Sequence, residues 1–404
     1  MTHFAPILAA LRRHRLAAAL IALEIALACA VLCNACFLIA SRVRLMHVES
    51  GVDESSLALV RLDCDDCNAV DLNARVMAAL RAVPGVQSVA AVNAVPFSEK
   101  AGDNGVTIDR EHYVAVPHFY LGSPEAAGTL GLRLAEGRPF QPEDFRTGDV
   151  WVSPDTPAWI SRALADKLWP GQSALGKEFW VTEKFHFRVV GVLPHLVRPD
   201  PGGYRGSGAA EWSVFAPMAP GKVLTGTYVL RAAPSDLPHV LREARAAAQK
   251  AAPEAVLNLE QSRTLSDLRE DFFRPSRVMA GMLVGVIVAL LLVTALGIVG
   301  LASFWVQQRR KQIGIRRAIG ATRHDILRYF QTENFLIVSG GILLGVVLAV
   351  VLNGMLMKFY ELPRLPMAYL PASAVALWLL GQLAVLGPAL RAAAVPPVVA
   401  TRSV

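Results

Sequence analysis

The sequence predicts a membrane protein with four transmembrane α-helices and a large α+β domain inserted between helices 1 and 2. Two observations lead to this prediction. Of the 404 residues, 53% are hydrophobic and 18% are charged, whereas soluble domains average roughly 45–50% and about 25%. The hydrophobic residues are concentrated in four runs of 21 to 29 residues, and most charged residues lie in one long segment between the first two runs.

Four apolar runs are long enough to cross a bilayer, since a spanning helix needs about 20 apolar residues. The predicted spans are residues 16–40, 278–306, 335–357 and 370–390. Buried helices of a soluble core are the alternative, but their apolar runs rarely exceed about 14 residues. The first run also resembles a cleaved signal, with arginines before it and Ala28-Cys29-Ala30 as a cleavage site, although its length favours a retained helix.

The distribution of Lys and Arg predicts the orientation of the chain in the membrane. Residues 1–15, 307–334 and 391–404 carry net charges of +3, +5 and +2 and are predicted to face the cytoplasm. Residues 41–277, with 26 basic and 29 acidic side chains, are predicted to lie outside, as is the short loop 358–369. Because the positive excess lies on the cytoplasmic side, no basic surface is left for nucleic acid, and nucleic-acid binding is excluded.

Two β-α-β patterns in the external segment flank an insert. The first consists of a strand at 56–62, a helix at 70–82 and a strand at 85–95, and the second of 226–231, 237–251 and 255–259. They predict one α+β domain whose first and last parts pack together. In the insert we expect a short helix between Trp159 and Trp169, a hairpin starting at 179–181, a strand at 185–192 and a loop at 199–208.

Two motifs in the external segment could carry chemistry. Gly171–Lys177 (GQSALGK) matches most of a phosphate-binding loop, but Glu178 stands where magnesium needs a Ser or Thr hydroxyl, so a turn is predicted. Cys64 and Cys67 are compatible with a disulfide, a metal site or two free thiols. A second CxxC or a His pair at ligand spacing does not follow, which argues against the metal site. No catalytic or metal-binding residue is therefore assigned.

Polar and small residues within the spans predict contacts between helices. Glu24 and Asn34 are predicted to make hydrogen bonds between helices or to mark a polar pathway. The spacings Gly281-xxx-Gly285 and Gly341-xxx-Gly345 permit close helix packing.

The cytoplasmic segment 307–334 has the composition of a docking element. Six apolar residues are interspersed with seven cations: Ile313, Ile315, Ile319, Ile326, Leu327 and Phe330 among Arg309, Arg310, Lys311, Arg316, Arg317, Arg323 and Arg328. Gly320-Ala321-Thr322 interrupts this pattern, and Thr322 is predicted to cap a new helix whose early Asp325 complements the positive helix end. Two short helices joined by an elbow of small residues are expected. The alternative is a basic loop bound to anionic lipid.

This segment resembles a known family. Residues 309–321 (RRKQIGIRRAIGA) are similar to the "EIGIRRALGA" stretch of the FtsX/MacB-type permeases of ABC transporters, and Gly340, Gly341 and Gly345 follow at the expected place. Residues 130–140, 169–177 and 189–192 resemble stretches of that family's periplasmic domain, and residues 393–397 resemble its tail. Gln312 departs from the pattern, because it stands where the family has an acidic residue.

The resemblance implies a MacB-type (type VII) permease of the inner membrane, without a fused ATPase domain, that exports a peptide, drug or lipid-linked substrate. Because only about fifteen residues precede the first run, ATP and Mg are expected in a separate ABC ATPase subunit, and no cofactor in this chain. A second permease subunit, membrane lipid and a membrane-fusion protein or outer-membrane channel are the other expected partners. Two alternatives stay open: FtsX-like signalling to a cell-wall hydrolase, and LolC/LolE-like lipoprotein extraction.

The residues expected to couple the permease to the ATPase follow from the position of this stretch. They are Arg316, Arg317, Ala318, Ile319, Gly320, Ala321, Arg323, Asp325 and Ile326. Ile319 and Ile326 are the expected apolar anchors, because burying such a side chain contributes roughly 1.5–3 kcal/mol. The arginines are expected to orient the partner, each contributing under about 1 kcal/mol. Gly320 lies at the elbow, where a β-branched residue is expected to be costly if the φ of this residue is positive.

Overall fold

The computed structural model describes residues 15–98, 102–146, 155–181, 185–202, 206–360 and 364–396. Nine α-helices occur in these ranges: α1 (Arg15–Met46), α2 (Ala69–Arg81), α3 (Ala126–Leu130), α4 (Arg162–Leu168), α5 (Leu237–Ala251), α6 (Leu265–Gln308), α7 (Arg310–Ala318), α8 (Arg323–Tyr360) and α9 (Tyr369–Ala393). Arg44–Pro275 forms one compact unit, and the segments before and after it form another.

The same ranges contain twelve strands. They are β1 (Leu57–Asp63), β2 (Val86–Ala91), β3 (Val106–Thr107), β4 (Tyr113–Ala115), β5 (His118–Gly122), β6 (Glu136–Gly137), β7 (Thr156–Ser161), β8 (Glu178–Trp180), β9 (His186–Leu193), β10 (Ser213–Pro217), β11 (Thr227–Ala232) and β12 (Val256–Leu257). All twelve lie in the unit Arg44–Pro275.

Four helices, α1, α6, α8 and α9, are long and apolar enough to cross a membrane. They contain the four predicted apolar runs, so the predicted transmembrane helices are confirmed. Each helix is longer than its run, because polar residues at both ends continue the same helix. The predicted loop boundaries, which depend on the position of the bilayer, stay predictions.

Small and polar residues make some of the close contacts between the spanning helices. An ideal Cβ on Gly341 would lie 2.8 Å from the backbone oxygen of Ala22, and one on Gly345 would lie 2.5 Å from Cβ of Cys29. α8 therefore approaches α1 closely along this face. Asn34 donates a hydrogen bond to the backbone oxygen of Ala349, at 3.2 Å, which is the predicted bond between helices.

The face of α6 around Gly281 and Gly285 makes no such contact. No atom lies within 4 Å of an ideal Cβ at either glycine, leaving aside chain neighbours and the helix backbone. The neighbouring side chains of Val278 and Met282 are exposed. Within the described part of this chain, the spacing Gly281-xxx-Gly285 therefore packs against no other helix. Further along α6, Gly297 lies against the carboxylate of Glu24 on α1.

The first and last parts of the domain form one sheet, as predicted. Its strand order is β12-β1-β11-β2, and β1 pairs antiparallel with β11. α2 and α5 contribute Val76, Leu80 and Val240 to the same hydrophobic core as Val60 and Leu62 of β1. The alternate residues of β1, such as Leu57, belong to a second core. This sheet is therefore buried on both faces.

The insert forms a second sheet, which the sequence predicted only in part. Its order is β4-β3-β8-β9-β7-β10-β5, with β6 paired to β9. The predicted strand at 185–192 is β9, and the predicted helix between the tryptophans is α4. In the predicted loop 199–208, residues 203–205 lie outside the described residues. β5 and β10 were not predicted, although all five residues of each are buried.

The two motifs of uncertain chemistry have structural roles. The segment Gly171–Lys177 is a turn in which Gly171 and Gly176 have φ of +70° and +75°. Strand β8 follows it at Glu178, whereas a phosphate-binding loop leads into a helix. Cys64 and Cys67 are joined by a disulfide. The turn predicted at Gly171–Lys177 and the first of the three states considered for the cysteine pair are therefore present.

Candidate coupling site

The predicted elbow of the segment 307–334 begins where α7 ends. Gly320 has φ of +108°, a conformation that a residue with a Cβ rarely adopts. The amide of Ala321 donates to the oxygen of Arg316 at 3.0 Å, and the amide of Gly320 donates to the oxygen of Arg317 at 3.2 Å. These two bonds form a Schellman motif, which satisfies carbonyls that the helix end would leave unpaired. The elbow is thus built by local sequence.

A capping box begins α8 on the other side of the elbow. The hydroxyl of Thr322 accepts from the amide of Asp325 at 3.2 Å. The carboxylate of Asp325 in turn accepts from the amide of Thr322 at 2.9 Å. This reciprocal pair satisfies two orphan amides at the helix start. The predicted cap at Thr322 is therefore present, and α7 and α8 are joined by a turn with defined geometry.

One face of the elbow is buried against α9. Ile313 of α7 and Ile326 of α8 share a hydrophobic cluster with Ala389 and Ala392 of α9. Ile326 is only 4% exposed. Ile326 and Phe330 lie one turn apart on the face of α8 that packs against α9. The expected anchor Ile326 is therefore buried within this chain and is not available on its surface.

The opposite face carries exposed apolar and basic side chains. Ile319 is 81% exposed and Ile315, one turn earlier, is 46% exposed. Ala318 and Arg323 are exposed beside them. Arg316 is exposed too, and its guanidinium lies 5.0 Å from the ring centre of Tyr329. We call these exposed residues the elbow surface: Ile315, Arg316, Ala318, Ile319 and Arg323. It presents a small apolar area flanked by cations.

An ion pair between Arg309 and Glu333 holds the base of the elbow. Nη1 of Arg309 lies 3.0 Å and 2.9 Å from the two carboxylate oxygens of Glu333, whose side chain is 1% exposed. Arg309 directly follows α6, and Glu333 lies in α8. The pair therefore joins two spanning helices. Sequence reasoning missed it, although a carboxylate at the edge of an uncharged run was a signal for a buried partner.

Arg317 contacts its own chain. Its Nη1 donates to the backbone oxygens of Ala393 at 3.1 Å and of Val395 at 2.7 Å, both at the end of α9. Of the expected coupling residues, Arg316, Ala318, Ile319 and Arg323 are thus on the surface, whereas Ile326 packs inside. In the described residues, no group of three or more His, Cys, Asp or Glu side chains could hold a metal ion.

Four helices suited to spanning a membrane, with an α+β domain between the first two and a structured elbow before the third, describe a multi-pass membrane protein with a large domain outside the bilayer. A family model described as the MacB-like periplasmic core domain matches residues 38–253. A second, the FtsX-like permease C-terminal, matches residues 284–397. The first match spans more than half of the chain, which therefore belongs to the FtsX/MacB-like family of ABC transporter permeases.

Curated relatives are named as exporters. The macrolide export ATP-binding/permease protein MacB of Bradyrhizobium diazoefficiens is 31% identical over 245 residues, which cover 56% of this chain and 35% of that protein. The pyoverdine export ATP-binding/permease protein PvdT of Pseudomonas aeruginosa is 26% identical over 294 residues, or 70% of this chain and 40% of that protein. The chain thus matches well under half the length of either relative.

Solved structures of related external domains also match. The periplasmic region of MacB from Actinobacillus actinomycetemcomitans has a TM-score of 0.34 at 11% identity and covers 57% of this chain and 98% of that one. The extracellular domain of the ABC-type transporter YknZ from Gram-positive bacteria has a TM-score of 0.33 at 15% identity, covering 50% and 99%. At these scores the structural likeness carries no argument, and family membership rests on the matched family models.

Proposed function

We propose that this chain is the permease subunit of a MacB-type exporter in the inner membrane. A separate ATPase chain, which holds ATP and Mg, binds the elbow surface. The ATP-driven closure of the ATPase moves the periplasmic domain of this chain. The observation that carries the proposal is the exposed pair Ile315 and Ile319 on an elbow whose other face is packed against α9. A surface held in place by its own chain, and still apolar, is suited to binding a partner that moves it.

The names of the relatives support outward transport and a class of substrate. MacB and PvdT are named for the export of macrolides and of pyoverdine. For this chain we propose export of a peptide, a drug-like molecule or a lipid-linked molecule. A membrane-fusion protein or an outer-membrane channel would complete the path.

A second permease subunit is the proposed partner of α6. This face of α6 is exposed, and the two glycines Gly281 and Gly285 leave room for a second helix to approach closely. Helices in membranes associate through faces of small residues. Lipid would cover this face in an isolated subunit, and a like or related permease would cover it in the assembled exporter.

The proposed topology predicts a labelling pattern. In a variant whose Cys29, Cys33 and Cys36 are alanine, a membrane-impermeant maleimide added outside should label Tyr113→Cys, at a site 72% exposed in this structure. The same maleimide should not label His324→Cys until the membrane is permeabilised. The positive charge of 307–334 is the physical reason, because basic loops stay in the cytoplasm. Labelling of His324→Cys alone in intact cells would overturn the topology.

Co-purification tests the proposed function. Membranes containing the tagged chain should yield a nucleotide-labelled ABC ATPase, identified by photo-crosslinking with an azido-ATP and by peptide mass spectrometry. Ile319→Asp should reduce its recovery about tenfold or more, since an anchor of roughly 1.5–3 kcal/mol is lost. The matched control is Leu259→Asp, which changes an exposed leucine of the other unit. Equal recovery with all three chains would show that the elbow surface does not bind the ATPase.

A further inference from the structure

Two neighbouring arginines of the elbow make different contacts. The guanidinium of Arg316 lies over Tyr329, and its side chain is exposed. Arg317 is half-buried and donates to the oxygens of Ala393 and Val395. Since these oxygens are 76 and 78 residues away in the chain, the contact joins α7 to the end of the last spanning helix.

The receiving carbonyls lie where α9 ends. The amides of Ala394 and Val395 still donate to Leu390 and Ala392, at 3.1 and 3.3 Å. The last four carbonyls of a helix have no intrahelical donor, and the end of the helix carries a partial negative charge. A guanidinium placed there makes charge-assisted bonds that are shorter and stronger than neutral ones. Arg317 therefore acts as a cap supplied by another helix.

This cap complements the apolar contact between the same elements. Ile313 of α7 shares a cluster with Ala389, Ala392 and Ala393 of α9. Apolar contact is non-directional, so this cluster by itself does not fix the position of α7 along α9. Two directional bonds from Arg317 fix the position along the helix axis.

We propose that Arg317 is a positioning residue that transmits movement of the elbow to α9. This inference rests on the proposed function, in which an ATPase acts on the elbow surface. It assigns Arg317 a different role from Arg316, Ile319 and Arg323, which face the partner. A displacement of α7 would pull the end of α9 with it while the bonds to Ala393 and Val395 hold. Without them, α7 could move and leave α9 behind.

The test measures the distance between α7 and α9 directly. Spin labels are attached at Gln312→Cys and Arg391→Cys, both exposed positions, in the full chain whose Cys29, Cys33 and Cys36 are alanine. Distances are recorded by double electron–electron resonance, in nanodiscs, for the chain alone and for its co-purified complex with and without ATP. The variants are Arg317→Ala, Arg317→Lys and the matched control Arg316→Ala.

In the chain alone we expect one narrow distance in the parent and in Arg316→Ala, whereas recovery of the ATPase with Arg316→Ala should fall, because Arg316 lies in the elbow surface. Arg317→Ala should give a broad distribution in the chain alone and in the complex, because the elbow is no longer held to α9. Its ATPase recovery should equal that of the parent. Arg317→Lys keeps the charge but replaces the planar guanidinium, whose Nη1 makes both bonds, by a compact ammonium on a flexible stem, and its distribution should be intermediate.

Two results would overturn the inference. A narrow, parent-like distribution in Arg317→Ala would show that the bonds to α9 are not needed. Loss of the ATPase from Arg317→Ala without broadening would assign Arg317 to the partner surface. If no ATPase co-purifies with the parent, the proposed function fails, and the distances in the chain alone still decide whether Arg317 holds α9.

Discussion

Gly345→Val should separate α8 from α1 and strongly destabilise the helical unit. An ideal Cβ at this position would lie 2.5 Å from Cβ of Cys29 and 2.8 Å from the oxygen of Ala26. Valine adds two further carbons, and the atoms in the way belong largely to the backbone of α1, which cannot move aside cheaply. Overpacking of this kind costs roughly 1–3 kcal/mol and sometimes more, a large share of a typical stability of about 5–15 kcal/mol.

A matched glycine on the same helix supplies the control. An ideal Cβ on Gly340 meets nothing within 4 Å, so Gly340→Val should leave stability unchanged or raise it, since glycine is a poor helix former. The measurement is the thermal midpoint of the detergent-solubilised chain, followed by size-exclusion chromatography after heating. Midpoints that fall equally for Gly345→Val and Gly340→Val would show that the contact with α1 does not stabilise the unit.

Glu333→Leu should be the most destabilising single change at the elbow. It leaves the guanidinium of Arg309, whose side chain is 12% exposed, without the carboxylate that it binds through two oxygens. Removing one partner of a buried ion pair costs roughly 3–5 kcal/mol, because the remaining charge is desolvated. The same thermal measurement should show a midpoint well below that of the parent.

The double variant separates the pair from its parts. Arg309→Met together with Glu333→Leu removes both charges and keeps the volume, and apolar replacements of buried pairs are often neutral or stabilising. We therefore expect the double variant to be more stable than Glu333→Leu alone. If the loss of stability in the double variant equals the sum of the losses in Arg309→Met alone and Glu333→Leu alone, the two side chains do not interact energetically. ATPase recovery, measured in parallel, shows whether the elbow surface survives each change.

Together these contacts describe an elbow that is rigid on one side and open on the other. The Schellman motif and the capping box set the turn. Arg309 and Glu333 hold its base, and Arg317 holds its α7 side to α9. The elbow surface remains accessible. This division fits the proposed coupling, because a partner can move an element only if the element does not yield locally.

Features that depend on neighbouring residues could be predicted from the sequence alone. The spanning helices follow from run length, since about 20 apolar residues are enough to cross a bilayer. The bounds of α5, Leu237–Ala251, and the cap at Thr322 were predicted correctly for the same reason: helical periodicity and capping are encoded within a few residues. The two-residue strands β3 and β6 are too short to give a pattern, and they form only because partner strands lie beside them.

Tertiary packing sets which side chains of the elbow are available to a partner, and the sequence does not reveal it. Ile319 and Ile326 look alike in the sequence, yet one is exposed and the other packs against α9. Arg316 and Arg317 are adjacent, yet one faces outward and the other binds carbonyls 76 and 78 residues away. In the sequence, Cys64 and Cys67 were compatible with a disulfide, a metal site or two free thiols, and the structure shows the disulfide. Composition and spacing could not separate these cases, because burial and hydrogen bonding depend on partners that are distant in the chain and meet only on folding.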